Sequence, residues 1–334
     1  MRLSFSPLHL RRLENKCGFF SSEKYSFGSK SLSKIQKIKG ELRNLSPEAI
    51  QMVSYRPFDK RYLYFDKKRI VRPQYAVMKY FLNHGNQNHA MPKNIGIVIS
   101  KKINASDTYQ HVFLTNTICE SCLISNKTGE IGYCFPIVIF DEQGKQKRNL
   151  NPEIVSQIED IVGDMIESEH ILDYIYAILH SPTYRKRFFE FLSFMFPYIP
   201  YPKQHHFWNI VEKGKKLRLL HLFSADVLND VSSKLRNTSG SLIEKSTKIT
   251  NVTIKITTPE KGQIWINQRE YFEDVSVLAW NFFIGSYQPL QKWLKDRKDR
   301  ILLSTEVLHY SKMITAIEES ISNIREIDGS DLNL

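Results

Sequence analysis

The stretch YRPFDKRYLYFD, residues 55–66, gathers aromatic rings, long cations and a proline into one short segment. Arg56, Lys60 and Arg61 are interspersed among the rings, and Pro57 restricts the backbone near the start. This pattern has two interpretations. It is typical of a surface that contacts phosphates and bases, and equally of a packed, salt-bridged corner of a core.

The individual positions favour different roles within this stretch. We expect Tyr55 and Phe58 to belong to the core, because large aromatic side chains contribute most when they are buried. We expect Asp59 to hold an arginine in place, since a carboxylate beside a guanidinium forms a strong, geometrically specific pair. Both interpretations of the cations therefore stay open from the sequence.

The bulk composition indicates a folded, basic chain. Its 334 residues fit one large domain or two modest ones, and 42% hydrophobic and 12% aromatic residues allow a substantial core. Lysine and arginine outnumber aspartate and glutamate by 47 to 35, which gives a net charge of +12. Such an excess favours a polyanionic partner, of which nucleic acid is the commonest, although a merely basic background would look the same.

Targeting and redox signals are absent from the sequence. No run of about 18 apolar residues could span a membrane, and the basic, mixed N-terminus lacks the apolar region of a secretory signal. Four cysteines in a chain of this length do not indicate a disulfide scaffold. We therefore expect a cytoplasmic protein with no membrane association.

Strand patterns dominate the residues around the opening stretch. Ser46 and Pro47 predict the start of a short helix over 45–53, and 72–82 is also helical in pattern. Three short runs of β-branched and aromatic residues predict strands, and a polar loop at 141–151 follows them. The strand runs are 94–100, 111–118 and 134–140.

Helical patterns dominate the second half of the chain. Asn151 with Pro152, and Ser181 with Pro182, are helix-start signals, and 171–180 is apolar nearly all round. The runs KITNVTIKI and GQIWIN predict paired strands, and the C-terminus is again helical, with Ser304 as an N-cap.

The fold class predicted from these patterns is mixed α/β. We expect three parts along the chain, and the helix-rich part carries the small strand pair near 248–267. The parts are a basic lead-in or junction at 1–45, a sheet-bearing part at 46–150 and a helix-rich part at 151–334.

The motifs of common enzymes are missing. The sequence contains no GxGxxG, GxxxxGK[ST], GxSxG or HExxH motif. Cys119 and Cys122, with Cys134 and His111, are a weak zinc hypothesis, and small residues at the end of a strand are the favoured alternative. We expect no catalytic residues, no metal and no cofactor.

Several phrases in one order resemble a known family. The sequence resembles the C-terminal specificity, or target-recognition, region of Type ISP and related single-chain restriction–modification enzymes, over about residues 46–325. The phrases that carry the resemblance are YRPFDKRYLYFD with RPQY, ILDYIYAILHSPTYRKRFFEFL, FPYIPYP and FIGSYQPLQKWLKDRKDRILLSTEVLHYSKMITAIEES.

The resemblance implies sequence-specific binding of double-stranded DNA. In that family a nuclease, a motor in the ISP class and an N6-adenine DNA methyltransferase precede this region. Neither a methyltransferase cofactor loop nor its catalytic motif is present here, so the chain looks like the specificity part alone: a separate subunit, a remnant of a split gene or an excised piece. Its partner would be a separate methyltransferase or restriction subunit. Ser286 stands where a second glycine is common in the family.

Such a domain needs cations for phosphates and polar side chains for base edges. The segment between residues 55 and 115 supplies both, with Asn, Gln and His concentrated at 83–94. A solvated loop is the alternative for that segment, and a solvated helix face is favoured for Arg185, Lys186 and Arg187. The candidate DNA-binding residues are Arg56, Lys60, Arg61, Arg72, Asn86, Gln87, Asn88, His89, Lys101 and Lys102.

Two other functions compete with DNA recognition. The chain could be a protein-docking subunit or an inactive remnant, in which case the helix-rich part would expose an apolar patch toward its partner. It could also be a cryptic nuclease or a cryptic methyltransferase. Binding of S-adenosylmethionine would reveal a methyltransferase.

Overall fold

The computed structural model describes residues 4–5, 49–65, 74–82, 94–104, 106–141, 143, 145–231 and 233–332. Nearly all of the predicted lead-in at 1–45 lies outside these residues. So do Arg72 and the four candidate base-contacting residues at 86–89.

The opening stretch forms a β-hairpin. Its strands are β2 and β3, which pair antiparallel around a turn at Pro57 and Phe58. Together with two short strands they form a sheet in the order β1-β3-β2-β6. The four strands are β1 (Ser4–Phe5), β2 (Ile50–Arg56), β3 (Asp59–Tyr64) and β6 (Ile118–Cys119).

The helix predicted over 45–53 is wrong for its described part, because Ile50–Arg56 is a strand. This strand pairs with β3 on one edge and, in parallel, with β6 on the other. Ser46 and Pro47 are good helix-start residues, but strand preference depends on the neighbours that the fold supplies. Two paired edges therefore outweigh the local signal.

The three predicted strand runs are confirmed, with breaks. β5, β4 and β7 form an antiparallel sheet in that order, and β8 pairs with β9 in a separate two-stranded ribbon. The ribbon replaces part of the polar loop predicted at 141–151. The strands are β4 (Gly96–Ser100), β5 (Val112–Thr115), β7 (Gly132–Pro136), β8 (Val138–Phe140) and β9 (Gln146–Arg148).

The strand pair predicted near 248–267 is confirmed and belongs to a larger sheet. β11 pairs antiparallel with β12, as the sequence predicts, and two further strands extend the sheet to the order β10-β13-β12-β11. Ile264 and Phe272 are fully buried on its inner face. The strands are β10 (Leu235–Asn237), β11 (Thr253–Ile256), β12 (Lys261–Trp265) and β13 (Glu270–Ser276).

Helices are the other main component of the described chain, so the mixed α/β class is confirmed. Single 3-10 turns occupy Lys79–Phe81 and Asp226–Asn229. The α-helices are α1 (Tyr75–Met78), α2 (Pro152–Val162), α3 (Ser168–His180), α4 (Pro182–Arg187), α5 (Phe189–Leu192), α6 (Phe207–His221), α7 (Val277–Trp280), α8 (Pro289–Lys295) and α9 (Ser304–Asp328).

Helices α3, α6 and α9 pack together at the centre of the helical part. Gly214 in α6 allows the closest approach, because a Cβ there would lie 1.9 Å from the carbonyl oxygen of Asp173 in α3. The His221 ring joins the three helices: Tyr176 Oη lies 2.5 Å from its Nδ1, and Ser320 Oγ lies 3.0 Å from its Nε2. Burial holds the pKa of His221 at about 3, so the ring is neutral.

Two hydrophobic cores fill the described part of the molecule, and each draws residues from both sides of residue 150. One combines Phe58 and Phe113 with Trp293 and Ile314. The other combines the β4 and β5 side chains facing the helices with α2, α3 and α6. The predicted division into parts at 46–150 and 151–334 stays a prediction, and the two parts share both cores.

Candidate nucleic-acid interface

The turn of the β2–β3 hairpin is a packed corner. Phe58 takes a left-handed backbone conformation with φ of 62°, and its side chain is buried. Its ring lies 5.3 Å from the rings of Phe113 and Phe223, and its carbonyl oxygen accepts a hydrogen bond of 2.8 Å from His309. The expectation that Phe58 belongs to the core is confirmed.

Asp59 holds two arginines beside this corner. Its carboxylate accepts hydrogen bonds of 2.7 Å from Arg61 and 2.9 Å from Arg297, and its side chain is 3% exposed. Burial would raise the pKa of Asp59, but the charges and hydrogen bonds of Arg297 and Arg61 outweigh it and lower the pKa. The predicted Asp–Arg pair is confirmed and is shared with a second arginine from beyond α8.

Arg297 ties the hairpin to the C-terminal part of the chain. Its guanidinium stacks on Trp293 at 3.6 Å from the ring centroid and lies 3.6 Å from a carboxylate oxygen of Glu306. The cations of the phrase QKWLKDRKDR are therefore partly structural. Lys292 pairs with Asp296, and Arg300 donates to Glu306 at 2.9 Å.

Tyr55, which was expected in the core, is only half-buried, and two candidate DNA-binding cations stack on its ring. The guanidinium carbons of Arg56 and Arg61 are 4.0 Å and 3.7 Å from its ring centroid. Arg56 also pairs with Glu120, and Arg61 lies 3.4 Å from Asp296. Both arginines are thus held by ring and carboxylate contacts, and a phosphate would have to share their remaining donors.

The candidate lysines lie on the surface. Lys60 is exposed on β3 and donates a hydrogen bond of 2.7 Å to Asn116 Oδ1. Lys101 and Lys102 are exposed just after β4, with Lys101 Nζ 5.9 Å from the ring centroid of Phe196. Lys101 and Lys102 stand at the end of β4 where β7 begins, which separates them along the sheet from the β8–β9 ribbon.

The ribbon carries basic residues that are not among the DNA-binding candidates predicted from the sequence. Lys145, Lys147 and Arg148 are exposed there. The segment KQKR was visible as a cationic run, but its position in a polar stretch favoured a loop. Only the pairing of β8 with β9 shows that these side chains stand on an ordered element.

The four zinc-hypothesis residues do not meet at one point. His111 lies 3.1 Å from Glu130 Oε2, and that carboxylate also accepts a hydrogen bond of 2.7 Å from Ser125. Cys134 instead contacts Cys119, which raises the pKa of the Cys134 thiol together with its burial. Among the described residues, no group of three or more His, Cys, Asp or Glu side chains could hold a metal ion.

The sequence predicts no membrane-spanning segment. Within the described residues, none of the helices combines the length and apolar character needed to cross a bilayer.

The hairpin and nearly all of both cores and of the C-terminal helix lie within a stretch that matches one protein family. The Type ISP C-terminal specificity domain family matches residues 12–326, and the chain belongs to this family. A search of curated proteins found no match.

Solved structures share the fold at low sequence identity. A DrdV–DNA complex has a TM-score of 0.61 at 19% identity, covering 88% of this chain and 30% of that one. The Type ISP restriction–modification enzyme LlaBIII bound to DNA has a TM-score of 0.63 at 16% identity, covering 97% and 21%. A nuclease-deletion mutant of the Type ISP enzyme LlaGI with a DNA substrate mimic has 0.58 at 18%, covering 87% and 26%. This chain therefore spans less than a third of each.

Proposed function

We propose that this chain recognises a specific sequence in double-stranded DNA and directs an N6-adenine methyltransferase, with any nuclease, to that site. The match to the specificity-domain family over residues 12–326 carries the proposal. The catalytic activities belong to other residues, on the same or a separate polypeptide. The chain itself acts without a catalytic centre and without a cofactor, in the cytoplasm.

Charge and fold support DNA as the partner. The net charge of +12 favours a polyanion, and the three similar structures are complexes with DNA or a DNA mimic. We assign phosphate contacts to Lys60, Lys101 and Lys102, which present their ammonium groups on the surface. Arg56 and Arg61 would contribute from the edge of the Tyr55 stack.

The base-reading part of the proposal concerns residues outside the described ranges. Asn86, Gln87, Asn88 and His89 carry side chains that can pair with base edges in the major groove, and Arg72 would add a phosphate or guanine contact. Leu82 and Asn94, which flank the 83–93 segment, are buried, so that segment begins and ends at fixed points of the fold.

Selection from a random duplex library tests the proposal. The purified chain is incubated with the library at about 150 mM salt, where phosphate contacts alone are already weakened. Bound duplexes are recovered and sequenced. We expect enrichment of one asymmetric motif of several base pairs. Salt-sensitive binding without any enriched motif would contradict sequence recognition by this chain, and absence of binding would contradict DNA recognition altogether.

A docking function is the second candidate, because the helical part exposes a group of aromatic side chains. Phe191, Phe194, Tyr198 and Tyr201 are exposed along the segment that follows α4. The rings of Phe191 and Phe194 lie 6.4 Å apart, and exposed apolar surface often marks a protein interface. A chain that binds no duplex but forms a stable complex with a methyltransferase subunit would favour docking over DNA recognition.

An enzymatic function is the remaining alternative. A methyltransferase must bind S-adenosylmethionine, whereas a specificity domain alone has no need to do so. Titration calorimetry with S-adenosylmethionine separates the two, and we expect no heat of binding.

A further inference from the structure

The β8–β9 ribbon is a regular, hydrogen-bonded β-ribbon. β8 and β9 pair antiparallel, with Val138 opposite Arg148, Ile139 opposite Lys147, and Phe140 opposite Gln146. Asp141 closes the turn: its backbone N–H donates to the carbonyl oxygen of Lys145 at 3.1 Å, and its carboxylate accepts from the N–H of Lys145 at 2.8 Å. The side chains along β9 therefore stand at defined positions.

Three cations on this ribbon keep their charges available. Lys145, Lys147 and Arg148 are exposed, and none of them has a carboxylate partner among the residues that the structure describes. The hairpin arginines differ, because Arg56 and Arg61 are each paired with acidic side chains. The ribbon thus presents a local positive charge to solvent.

The ribbon is anchored on residues that precede and follow segment 83–93 in the chain. The side-chain amide of Asn94 donates to the carbonyl oxygens of Val138 at 2.8 Å and Tyr80 at 3.2 Å, and its oxygen accepts from the N–H of Val138. The Phe140 ring also lies 6.1 Å from the ring of Tyr80. The end of the ribbon at Val138 therefore lies close to the residues that precede and follow segment 83–93.

A two-stranded antiparallel ribbon has the width that the major groove of B-DNA admits. Successive side chains point to opposite faces of a strand, so Lys147 and Arg148 project from opposite faces of the ribbon. Cations on both faces of a ribbon can meet phosphates on either side of a groove. Phosphate contacts of this type set the register of a protein on the duplex without selecting sequence.

We propose that the β8–β9 ribbon lies against duplex DNA and contacts backbone phosphates through Lys145, Lys147 and Arg148. This inference rests on the proposed DNA recognition and gives the ribbon a positioning role within it. The ribbon holds the duplex in register, and these contacts do not themselves select sequence.

The test compares two double variants of identical chemistry. Lys147→Gln/Arg148→Gln removes two ribbon charges, and Lys186→Gln/Arg187→Gln removes the same pair from exposed positions on α4. The affinity of each purified chain for a short mixed-sequence duplex is measured over a range of salt concentrations. We expect the ribbon variant to lose about 0.9 of the slope of log K against log salt per phosphate contact, or about 2 in all, and the control to keep the wild-type slope.

Each other outcome overturns the assignment. Equal slopes for the wild type and the ribbon variant would remove the ribbon from the interface while leaving DNA recognition intact. Equal losses in both variants would reduce the effect to net charge. A different enriched motif for the ribbon variant in the library selection would assign base contacts instead of phosphate contacts. A wild-type chain that binds no duplex would end the proposed function and the ribbon assignment together. Unchanged melting temperatures for both variants exclude unfolding as the cause.

Discussion

At the scale of single residues, the partner of each cation separates structural from available charge. Arg56 and Arg61 are candidate DNA contacts in the sequence, and the structure pairs them with Glu120, Asp59 and Asp296. Asp59 was predictable as a partner because it lies two residues from Arg61. Glu120 and Asp296 were not, since nothing local in the sequence brings them to the hairpin.

Asp59→Asn tests the buried cluster. The substitution keeps the size of the side chain but removes the charge that compensates Arg297, whose side chain is 9% exposed. Breaking one partner of a buried pair leaves an uncompensated charge, so we expect the free energy of unfolding to fall by about 3–5 kcal/mol. Urea denaturation measures it. Asp299→Asn is the control, because the Lys248–Asp299 pair is largely exposed and should cost less than about 1 kcal/mol.

The same pair gives the unfolding free energy an acid dependence. The pKa of Asp59 is lower in the folded than in the unfolded chain, so its stabilisation is complete above the ordinary aspartate pKa and is lost as pH falls through the folded value. The difference in unfolding free energy between wild type and Asp59→Asn should therefore shrink below about pH 4. A difference that stays constant down to acid pH would contradict the role of this carboxylate.

At the scale of elements, local start signals predicted helices well. Asn151 accepts a hydrogen bond of 2.9 Å from the N–H of Glu153 in α2, and Ser181 accepts one of 3.1 Å from Tyr184 in α4. The helix predicted to follow Pro182 breaks at Phe188. The N-cap of α9 is Leu303 instead of the predicted Ser304, which is the first helical residue. Caps act within one turn of chain, which is why the sequence alone shows them.

Elements that depend on distant partners were harder to predict. The β2 strand is paired by β6 from more than sixty residues away in the chain, and the β8–β9 ribbon carries its exposed polar residues in a pattern that a loop shares. The same limit applied to prediction of the candidate site. Its lysines were identifiable by composition, whereas the cations of the ribbon needed the strand pairing to be recognised.

Gly285 is a glycine that the turn before α8 requires. Its φ is +58°, and a Cβ would lie 1.7 Å from the carbonyl oxygen of Ile124. We expect Gly285→Ala to lower the free energy of unfolding by about 3 kcal/mol, from the left-handed backbone and the forced shift of that contact. Thermal or urea unfolding measures the loss.

Ser286 supplies the matched control. It is not among the described residues with positive φ, and its N–H donates to the Ile124 carbonyl oxygen at 2.9 Å, which glycine would also do. Ser286→Gly should therefore change the free energy of unfolding by no more than about 1 kcal/mol. A large loss there, or none at Gly285, would show that the turn is held differently. Serine is accommodated at position 286 because the left-handed backbone conformation is required at Gly285, its neighbour.

At the scale of the whole molecule, the two cores bind the halves of the chain together. Phe58 and Phe113 pack in one core with Trp293, while Ile97 and Leu114 pack in the other with Ile178. The compositional change near residue 150 is real, but composition cannot show which core a side chain enters. Sequence-distant packing of this kind makes each half depend on the other.

Fragments test this dependence. We expect polypeptides 46–150 and 151–334, produced separately, to lack a cooperative unfolding transition, because each would expose its share of both cores to water. Circular dichroism on heating measures the transition, with the full chain as the reference. A fragment with a sharp transition of its own would establish it as an independent domain.

The Asn94 side chain is hydrogen-bonded to the backbone of both Tyr80 and Val138, and so holds one boundary of segment 83–93 on packed elements. The other boundary is Leu82, which is buried in the core that contains Phe58. Insertions, deletions and replacements between two such fixed ends change the stability of the surrounding fold little, because the entropic cost of closing a loop depends only weakly on its length. If residues 86–89 contact bases as proposed, a new target sequence requires exchange of this short segment alone, with the rest of the gene unchanged.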